Sequence, residues 1–563
     1  MVPDEDLAEE LEAQEQQQLA TVVSNMSPEE KERVAVQSEA LQREQDAQVD
    51  PSCLPSLSVS DIDPTITPVR HEMSSFTSGK AAESKIRLRK QPFDSNGVVY
   101  ARLRLDARHV SAHLRPYLPL LCKVLGSVGA AEQDFREQSR QIEQTCGDIS
   151  VSLSRFPSRF ADSSQVHDGI VFRTYALARN FDKSLSLLKD IICSPRLHDV
   201  QRLRTLIGIT AQTMSTSLTR RGHAIALSDA MASVNYFNEM SNESSGLPQV
   251  KFMQNLAKAG EEGAALASER LIELAHELLT LHAATQASPD QLIGSASLVD
   301  GVPVRELDFE YARQQVLVTA DERLLDPAHN SLENLLNELP LSRESVYPLR
   351  RNVAEGFVAA NSSQNRYLAM STNGIYFCAQ SQATFPMHDP RTPVLHVLAN
   401  ILSSCYLHRE VREKGGAYGA SCVVRNGALG MSSFYDPNTD ATLAAFDGAL
   451  QWAAAGQFED RDLDEAKLSM FADIDAPETP SSVGTGEWIR GLSVESRQEF
   501  RSKLLQCGRD DVAELAQHLV ESRDQDGAVH TSILGSDLNE EFAQREGWSF
   551  ENLGSHLDGD QSV

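Results

Sequence analysis

The sequence predicts an α+β fold in which one unit of strands and helices occurs twice. Short stretches of alternating apolar and polar residues, typical of strands, separate longer stretches with helical spacing. The order strand, helix, strand, strand, helix occurs within residues 97–195 and again within 374–456, at an offset of roughly 260–280 residues. The chain has 563 residues, of which 41% are apolar, so it can bury more than one core. Duplication is the simplest account, and two unrelated α+β domains of similar element order are the alternative.

The first copy is predicted from alternation and from residues that end helices. Gly147 closes one predicted helix and Pro195 stops another. The Ser- and Asn-rich stretch 237–248 is predicted to be a loop. The predicted elements are a strand at 97–106, helices at 114–129 and 134–147, strands at 149–156 and 169–178, a helix at 182–195, long helices at about 198–232 and 249–285, and a closing strand at 291–299.

The second copy repeats this order and sets the expected domain boundaries. Its predicted elements are a strand at 374–385, a helical stretch at 391–415, strands at 417–424 and 427–436, helices at 439–456, 460–475, 495–505 and 509–522, and a closing strand at 527–536. The expected division of the chain is a linker at 1–50, a first domain at 51–300, a connector at 301–350 with some helix around 329–338, and a second domain at 351–563.

The N-terminal fifty residues are polar and acidic, with fourteen acids and three bases. Two helices are predicted, at 4–24 and 28–46, and Ser27 with Glu30 forms the capping-box pattern at the start of the second. Few apolar residues stripe either helix, so we expect an exposed helical hairpin or linker. The stretch resembles neither a secretory signal nor an Arg-rich transit peptide.

The net charge of −29 restricts the partners of the chain. Such a surface repels nucleic acid and anionic membranes and attracts basic partners, although acidity can also serve solubility alone. No run of 18 or more apolar residues occurs, so no membrane span is expected. The eight cysteines form no C-x-x-C pair, which favours free thiols in a reducing compartment.

Metal and nucleotide motifs are missing from the sequence. Neither H-E-x-x-H nor H-x-x-E-H occurs. His276 and His282 are six residues apart, on different faces of a helix, so they are interpreted as ordinary helix residues. There is no G-x-S-x-G, Walker loop or dinucleotide fingerprint. The chain is therefore expected to bind no metal by itself.

The stretch HREVREKGGAYGAS, 408–421, concentrates polar side chains where a helix meets a strand. Arg412 lies in the last helical turn, Gly415 and Gly416 break the helix, and Tyr418 starts the strand. Helix capping with a surface ion pair is one interpretation of Arg412, and a half-buried strand position is one interpretation of Tyr418. The glycines favour a contact site, because they let another backbone approach closely.

The first copy keeps a helix followed by glycine at the corresponding place. It has Ile142 and Asp148 roughly where the second copy has Arg412 and Tyr418. The two copies are therefore expected to share architecture and to differ in polar equipment. This difference indicates that one copy makes a contact that the other does not need.

Several stretches resemble the C-terminal half of pitrilysin-type zinc metallopeptidases. They are REKGGAYG, SFYDPNT, DLDEAKLS and DAPETP within residues 411–480, together with residues 51–66 and 115–147. The likeness covers nearly the whole chain and is weakest over 230–360. It implies two homologous metalloprotease-like α/β sandwich domains, the third and fourth of a four-domain clamshell, after an acidic helical hairpin that joins the halves.

The resemblance also implies an activity and a site. In this family the zinc ligands and the glutamate base lie in the N-terminal half, so zinc is expected in the full enzyme with no ligand from this chain. Arg412 and Tyr418 match the family's R-x-x-x-x-x-Y motif, which reaches the substrate across the chamber. Tyr418 would stabilise the oxyanion, Arg412 would hold substrate backbone or carboxylate, and Gly415 and Gly416 would leave room for the peptide.

The expected partners follow from the same resemblance. They are the N-terminal catalytic half and unstructured peptides, including cleaved basic presequences, in the mitochondrial matrix. The chain alone is expected to be inactive. A non-catalytic structural subunit of the same family and a peptide-binding module are the alternatives.

Overall fold

The computed structural model describes most of the chain in two compact units. The described residues are 7–46, 56–79, 82, 86–157, 166–282, 298–299, 302–303, 314–340, 342–344, 365–370, 372, 374–387, 389–526, 529–536 and 547–553. The units are Met1–Ser58 and Val59–Val563.

The first unit consists of helices α1 (Leu7–Asn25) and α2 (Pro28–Asp46). The predicted capping box is present, because the Ser27 amide donates to Glu30 Oε2 at 2.9 Å and the Glu30 amide donates to Ser27 Oγ at 3.2 Å. The described side chains of both helices are almost all exposed, so the helices present a largely polar surface.

The second unit contains two six-stranded mixed sheets. The first has the order β1-β2-β6-β3-β5-β4, in which β2 and β6 are parallel and the other pairs are antiparallel. Its strands are β1 (Glu72–Ser75), β2 (Arg87–Pro92), β3 (Val98–Asp106), β4 (Asp148–Pro157), β5 (Val166–Leu177) and β6 (Gln314–Ala320).

The second sheet repeats the connectivity of the first. Its order is β12-β7-β11-β8-β10-β9, with β7 parallel to β11 and to β12 and the remaining pairs antiparallel. Five strands of each sheet therefore correspond in order and direction, which supports duplication, and the α+β class is confirmed. The strands are β7 (Asn365–Ala369), β8 (Phe377–Ala383), β9 (Gly419–Arg425), β10 (Ala428–Phe434), β11 (Val529–Gly535) and β12 (Trp548–Asn552).

Alternation along the central strands explains where each core lies. In β3, the buried side chains of Val99, Leu103 and Leu105 belong to the core on the helical side of the sheet. The intervening Arg102 and Arg104 lie on the opposite face, where Arg102 contacts the carbonyl of Ser481. Helices cover one face of each sheet and bury a separate apolar core.

Helices make up much of the remaining chain. A π-helix, Leu402–Lys414, continues directly from α12. The α-helices of the second unit are α3 (Leu118–Val124), α4 (Phe135–Thr145), α5 (Phe181–Cys193), α6 (Val200–Arg220), α7 (Gly222–Ala232), α8 (Tyr236–Ser245), α9 (Leu247–Lys258), α10 (Gly260–Leu279), α11 (Glu322–Glu338), α12 (Thr392–Ile401), α13 (Thr439–Ala454), α14 (Asp460–Ile474), α15 (Thr485–Arg490), α16 (Val494–Gln506) and α17 (Arg509–Asp526).

Each sheet is also covered on its second face by a helix from the other half of the sequence. Helix α7 packs Leu227 and Met231 against the second sheet. A Cβ atom on Gly430 of β10 would lie 2.4 Å from Met231 Cε, so the close approach requires glycine. The buried carboxylate of Asp229 pairs with Arg366 and accepts a hydrogen bond from Ser532 at 2.8 Å.

Helix α15 makes the reciprocal contact on the first sheet. Trp488 is fully buried and packs against Val171 and Leu317. The buried carboxylate of Glu487 pairs with Arg89 of β2 and with Arg497 at 2.8 Å. The two sheets are therefore tied together by exchanged helices.

The connector region differs from its prediction. Strand β6 lies inside the expected connector at 301–350 and pairs centrally in the first sheet. Helix α11 is longer than the helix expected around 329–338. The predicted closing strand at 291–299 falls mostly outside the described residues, and its described part, Leu298–Val299, pairs with Val302–Pro303 in a separate ladder. A second short ladder joins Thr280–His282 to Ser342–Glu344.

Two further predictions about helices need correction. The stretch 237–248 is not a loop, because Asn235 caps α8 by accepting a hydrogen bond from the Asn238 amide, and Phe237 and Met240 are buried. The long helices predicted over 198–232 and 249–285 are each divided, at Arg221 and at Ala259. Among the described helices, none is long and apolar enough to cross a membrane.

Candidate functional site

A π-helix leads into the predicted site. Its buried side chains are Leu402, Leu407 and Val411, spaced by five and four residues along the core side. Most π-helical segments are single turns inside α-helices, often at functional sites. Here the π-helix carries the charged residues 408–414 on its outer side, up to the glycine turn.

The paired glycines end the helix by a turn that requires them. Gly416 adopts a left-handed φ of 81° and donates its amide to the Arg412 carbonyl at 3.0 Å. The Ala417 amide donates to the Val411 carbonyl at 3.1 Å. A Cβ atom on Gly415 would lie 2.6 Å from the same Val411 oxygen. The turn therefore satisfies helix-end carbonyls and directs the chain into β9.

The Gly416→Ala substitution is expected to lower the free energy of unfolding by about 1–2 kcal/mol, because alanine is strained in the left-handed region. The control is Gly208→Ala in α6, where the added Cβ meets nothing within 4 Å. That change is expected to raise stability by about 0.5–1 kcal/mol. Urea unfolding of both variants checks the pair, and equal effects of the same sign would contradict the account of the turn.

Arg412 and Tyr418 come together on the surface after this turn. The guanidinium carbon of Arg412 lies 5.8 Å from the ring centre of Tyr418. Tyr418 is 65% exposed and Arg412 is also exposed. In the described part of the chain, the Tyr418 hydroxyl has no hydrogen-bond partner and no carboxylate lies within 4 Å of the Arg412 guanidinium. Both groups are therefore available to a ligand.

The neighbouring charges on the π-helix are already paired. Glu410 accepts hydrogen bonds from Lys414 at 2.8 Å and from Arg409 at 2.8 Å. The hydrogen bond from Lys414, with that from Arg409, lowers the pKa of the Glu410 carboxyl. His408 Nδ1 lies 3.3 Å from Glu413, and its Nε2 lies 3.5 Å from Arg412 Nη1. Among the described residues, Arg412 is thus left as a cation without a local counter-ion.

Aromatic rings support Tyr418 from below. Its ring centre lies 5.2 Å from that of Phe434 and 6.1 Å from that of Tyr435. The Tyr418 amide donates to the Tyr435 carbonyl at 3.3 Å. A Cβ atom on Gly419 would lie 2.5 Å from the Phe434 ring, so this glycine makes room for the ring. The exposed tyrosine is consequently held by packing as well as by its backbone.

The corresponding region of the first sheet uses its groups within the fold. Asp148, at the start of β4, pairs with Arg173 at 3.2 Å. Ile142 is partly buried against the first core. The two copies therefore differ at this place, since Arg412 and Tyr418 are exposed on the second sheet.

The structure brings all four predicted residues, Arg412, Gly415, Gly416 and Tyr418, into one surface. The sequence interpretation missed the contribution of Phe434 and Tyr435. A signal was present, since both belong to the stretch SFYDPNT, which follows directly from β10.

Zinc does not fit the residues that the structure describes. Within those ranges, no three His, Cys, Asp or Glu side chains are grouped so that they could hold a metal ion. The expectation that this chain supplies no zinc ligand stays a prediction. The chemistry that the described residues can offer is hydrogen bonding and positive charge.

Comparison with known families places this surface in a class of proteins. A family model for a peptidase-associated region, of subfamily C in peptidase family M16, matches residues 1–256, and the model described as "PreP C-terminal domain" matches residues 370–537. The second model includes the whole Arg412–Tyr418 surface. The chain therefore belongs to the pitrilysin-type, or M16, peptidase family.

Within that family, the chain is similar to mitochondrial presequence proteases. It is 30% identical to the presequence protease of Danio rerio over 556 residues, which is 97% of this chain and 51% of the relative. It is 29% identical to that of Mus musculus over 544 residues, 92% of this chain and 48% of the relative. The chain thus spans about half the length of the curated relatives it matches.

Solved structures share the fold. A peptidase M16 inactive domain from Pseudomonas fluorescens has a TM-score of 0.52 at 12% identity, covering 83% of this chain and 98% of that one. A protease from Helicobacter pylori has a TM-score of 0.53 at 11% identity, covering 83% of this chain and 99% of that one. At these identities the likeness shows the fold alone.

Proposed function

We propose that the chain acts as the C-terminal half of a presequence-degrading metalloendopeptidase and supplies the groups that contact the peptide. The observation that carries this proposal is the exposed pair of Arg412 and Tyr418, held 5.8 Å apart beside a glycine turn. The similarity to mitochondrial presequence proteases supports the substrate class and a mitochondrial matrix location.

The two side chains suit different parts of a peptide. The Tyr418 hydroxyl can donate a hydrogen bond to a carbonyl oxygen, and this bond strengthens as that oxygen becomes negatively charged during hydrolysis. The Arg412 guanidinium can donate several hydrogen bonds to a backbone carbonyl or to a carboxylate. Gly416, with no side chain, leaves space beside them.

The metal and the attacking water belong to the proposed N-terminal half. A zinc ion there would supply the nucleophile for peptide hydrolysis. The part of this chain is to bind the peptide, to orient its carbonyl group and to close the chamber around it. The net charge of −29 favours basic, unstructured peptides as substrates.

A binding experiment tests the peptide-contacting role directly. Fluorescence anisotropy of a labelled unstructured peptide is measured against the purified 563-residue chain and its variants. Loss of a charge-assisted hydrogen bond in Arg412→Ala is expected to weaken binding by about tenfold or more. Without the zinc-bearing half, the same protein with added zinc is expected to cleave no quenched peptide.

The matched control is Arg409→Ala on the same π-helix. Arg409 is exposed but already pairs with Glu410 at 2.8 Å, so binding is expected to change less than about twofold. Equal losses in both variants would show that general charge, and not the Arg412 site, attracts the peptide. Unchanged binding in Arg412→Ala would favour a structural subunit that does not touch substrate.

A further inference from the structure

Tyr435 has a backbone conformation that disfavours its own residue type. Its φ is 49°, in the left-handed region where glycine and asparagine are at ease and bulky residues are strained. Strained residues persist where the surrounding structure fixes them, and they concentrate at functional sites. A tyrosine at this position therefore calls for an explanation beyond folding.

The residue after it fixes this conformation. Asp436 is fully buried, and its carboxylate accepts hydrogen bonds from Ser433 at 2.5 Å and from Thr442 at 2.7 Å. Its backbone exchanges two hydrogen bonds with Tyr376, at 2.8 and 3.0 Å. These contacts hold the backbone at 435 whatever side chain that position carries. The fold thus requires a left-handed residue there but does not require an aromatic ring.

The Tyr435 ring forms one wall of an exposed aromatic corner. Tyr435 is 40% exposed and Tyr418 is 65% exposed. Their ring planes meet at 89° with centres 6.1 Å apart. Phe377 and Phe434 pack against Tyr435 with ring centres 5.6 and 5.7 Å away. The corner is consequently apolar and rigid, and Arg412 adjoins it through the Tyr418 ring.

We propose that Tyr435 is a specificity-determining residue, whose ring together with that of Tyr418 binds an aromatic or large aliphatic side chain of the peptide held by Arg412. This inference rests on the proposed function and adds the side-chain preference of the same site. The aromatic rings favour an aromatic partner in edge-to-face contact. Arg412 accounts for the adjacent backbone carbonyl or carboxylate of the same peptide.

The test uses the purified 563-residue chain and a set of labelled peptides. The peptides are identical alanine-rich sequences, each with one phenylalanine at a different position, and one peptide has none. The wild-type chain is expected to bind the best phenylalanine peptide about tenfold more tightly than the peptide without phenylalanine. The Tyr435→Asn variant is expected to reduce this preference to about twofold or less, whereas Tyr435→Phe retains it.

Thermal unfolding separates binding from structure. Asparagine tolerates the left-handed region, so Tyr435→Asn is expected to fold with an unfolding temperature close to that of the wild type. Failure of this variant to fold would overturn the proposal, because the ring would then have a structural duty. An undiminished preference for phenylalanine in a folded Tyr435→Asn variant would overturn it as well.

The outcomes also distinguish this inference from the proposed function. Peptide binding that depends on Arg412 but shows no preference for phenylalanine would overturn the role of Tyr435 and leave the proposed function standing. Absence of any peptide binding that responds to Arg412→Ala would overturn both.

Discussion

Replacing Tyr418 with phenylalanine is expected to lower peptide turnover about 10²–10³-fold in an enzyme assembled from this chain and the N-terminal half. The substitution removes a single hydroxyl that has no partner among the described residues and keeps the ring, which packs on Phe434 at 5.2 Å. Folding should therefore be preserved. Because the lost hydrogen bond is strongest in the transition state, the turnover number is expected to fall much more than peptide affinity.

The matched control removes the same atom from the first sheet. Tyr175 on β5 stacks against Tyr100, away from the proposed peptide surface. The Tyr175→Phe variant is expected to keep turnover within about twofold, since substitutions far from the reacting groups rarely affect chemistry. Steady-state kinetics on a quenched peptide measures both variants. Full activity of Tyr418→Phe would show that the hydroxyl does not act on the reacting carbonyl.

Replacing Glu487 with alanine is expected to lower the free energy of unfolding by about 3–5 kcal/mol. Glu487 is a buried carboxylate that pairs with Arg89 across the contact between α15 and the first sheet. Its removal leaves the Arg89 guanidinium buried without this counter-ion, and Arg89 Nε already has no hydrogen-bond partner among the described residues. Because α15 ties the two sheets together, the whole second unit is expected to unfold at lower urea concentration.

The control for this variant is an exposed ion pair. Glu137 pairs with Arg140 at 2.8 Å on α4, with side chains 37% and 61% exposed, so Glu137→Ala is expected to cost about 0–1 kcal/mol. The double variant Arg89→Met with Glu487→Leu is expected to recover much of the lost stability, since neither charge is then buried alone. Similar losses from Glu487→Ala and Glu137→Ala would contradict the role assigned to the exchanged helix.

The elements that could be predicted well are those with local signals. Strand β3 alternates over nine residues and lies at Val98–Asp106, close to the predicted 97–106. Strand β6 was missed because its seven residues lie within an acidic stretch, and its central place depends on pairing with β2 and β3. Helix α8 was missed because its Ser- and Asn-rich composition favours a loop, and burial of Phe237 and Met240 outweighs that preference.

The candidate site shows the same division. Arg412, Tyr418 and the glycines between them were recognisable because they are close in sequence and belong to a recurring motif. The π-helical geometry of 402–414 follows from packing and has no sequence pattern of its own. The left-handed conformation of Tyr435 was not predictable either, because residue type argues against it and the buried contacts of Asp436 impose it.

The central claim is that the surface formed by Arg412, Tyr418 and the glycine turn touches the peptide. Photo-crosslinking with an unstructured basic peptide that carries a photoreactive phenylalanine, followed by mass spectrometry of the modified chain, tests this claim most directly. The account predicts crosslinks within residues 408–435, and it predicts that an excess of unlabelled peptide and the Arg412→Ala substitution both reduce them. Crosslinks that instead fall on the first sheet, or that persist unchanged in Arg412→Ala, would contradict it.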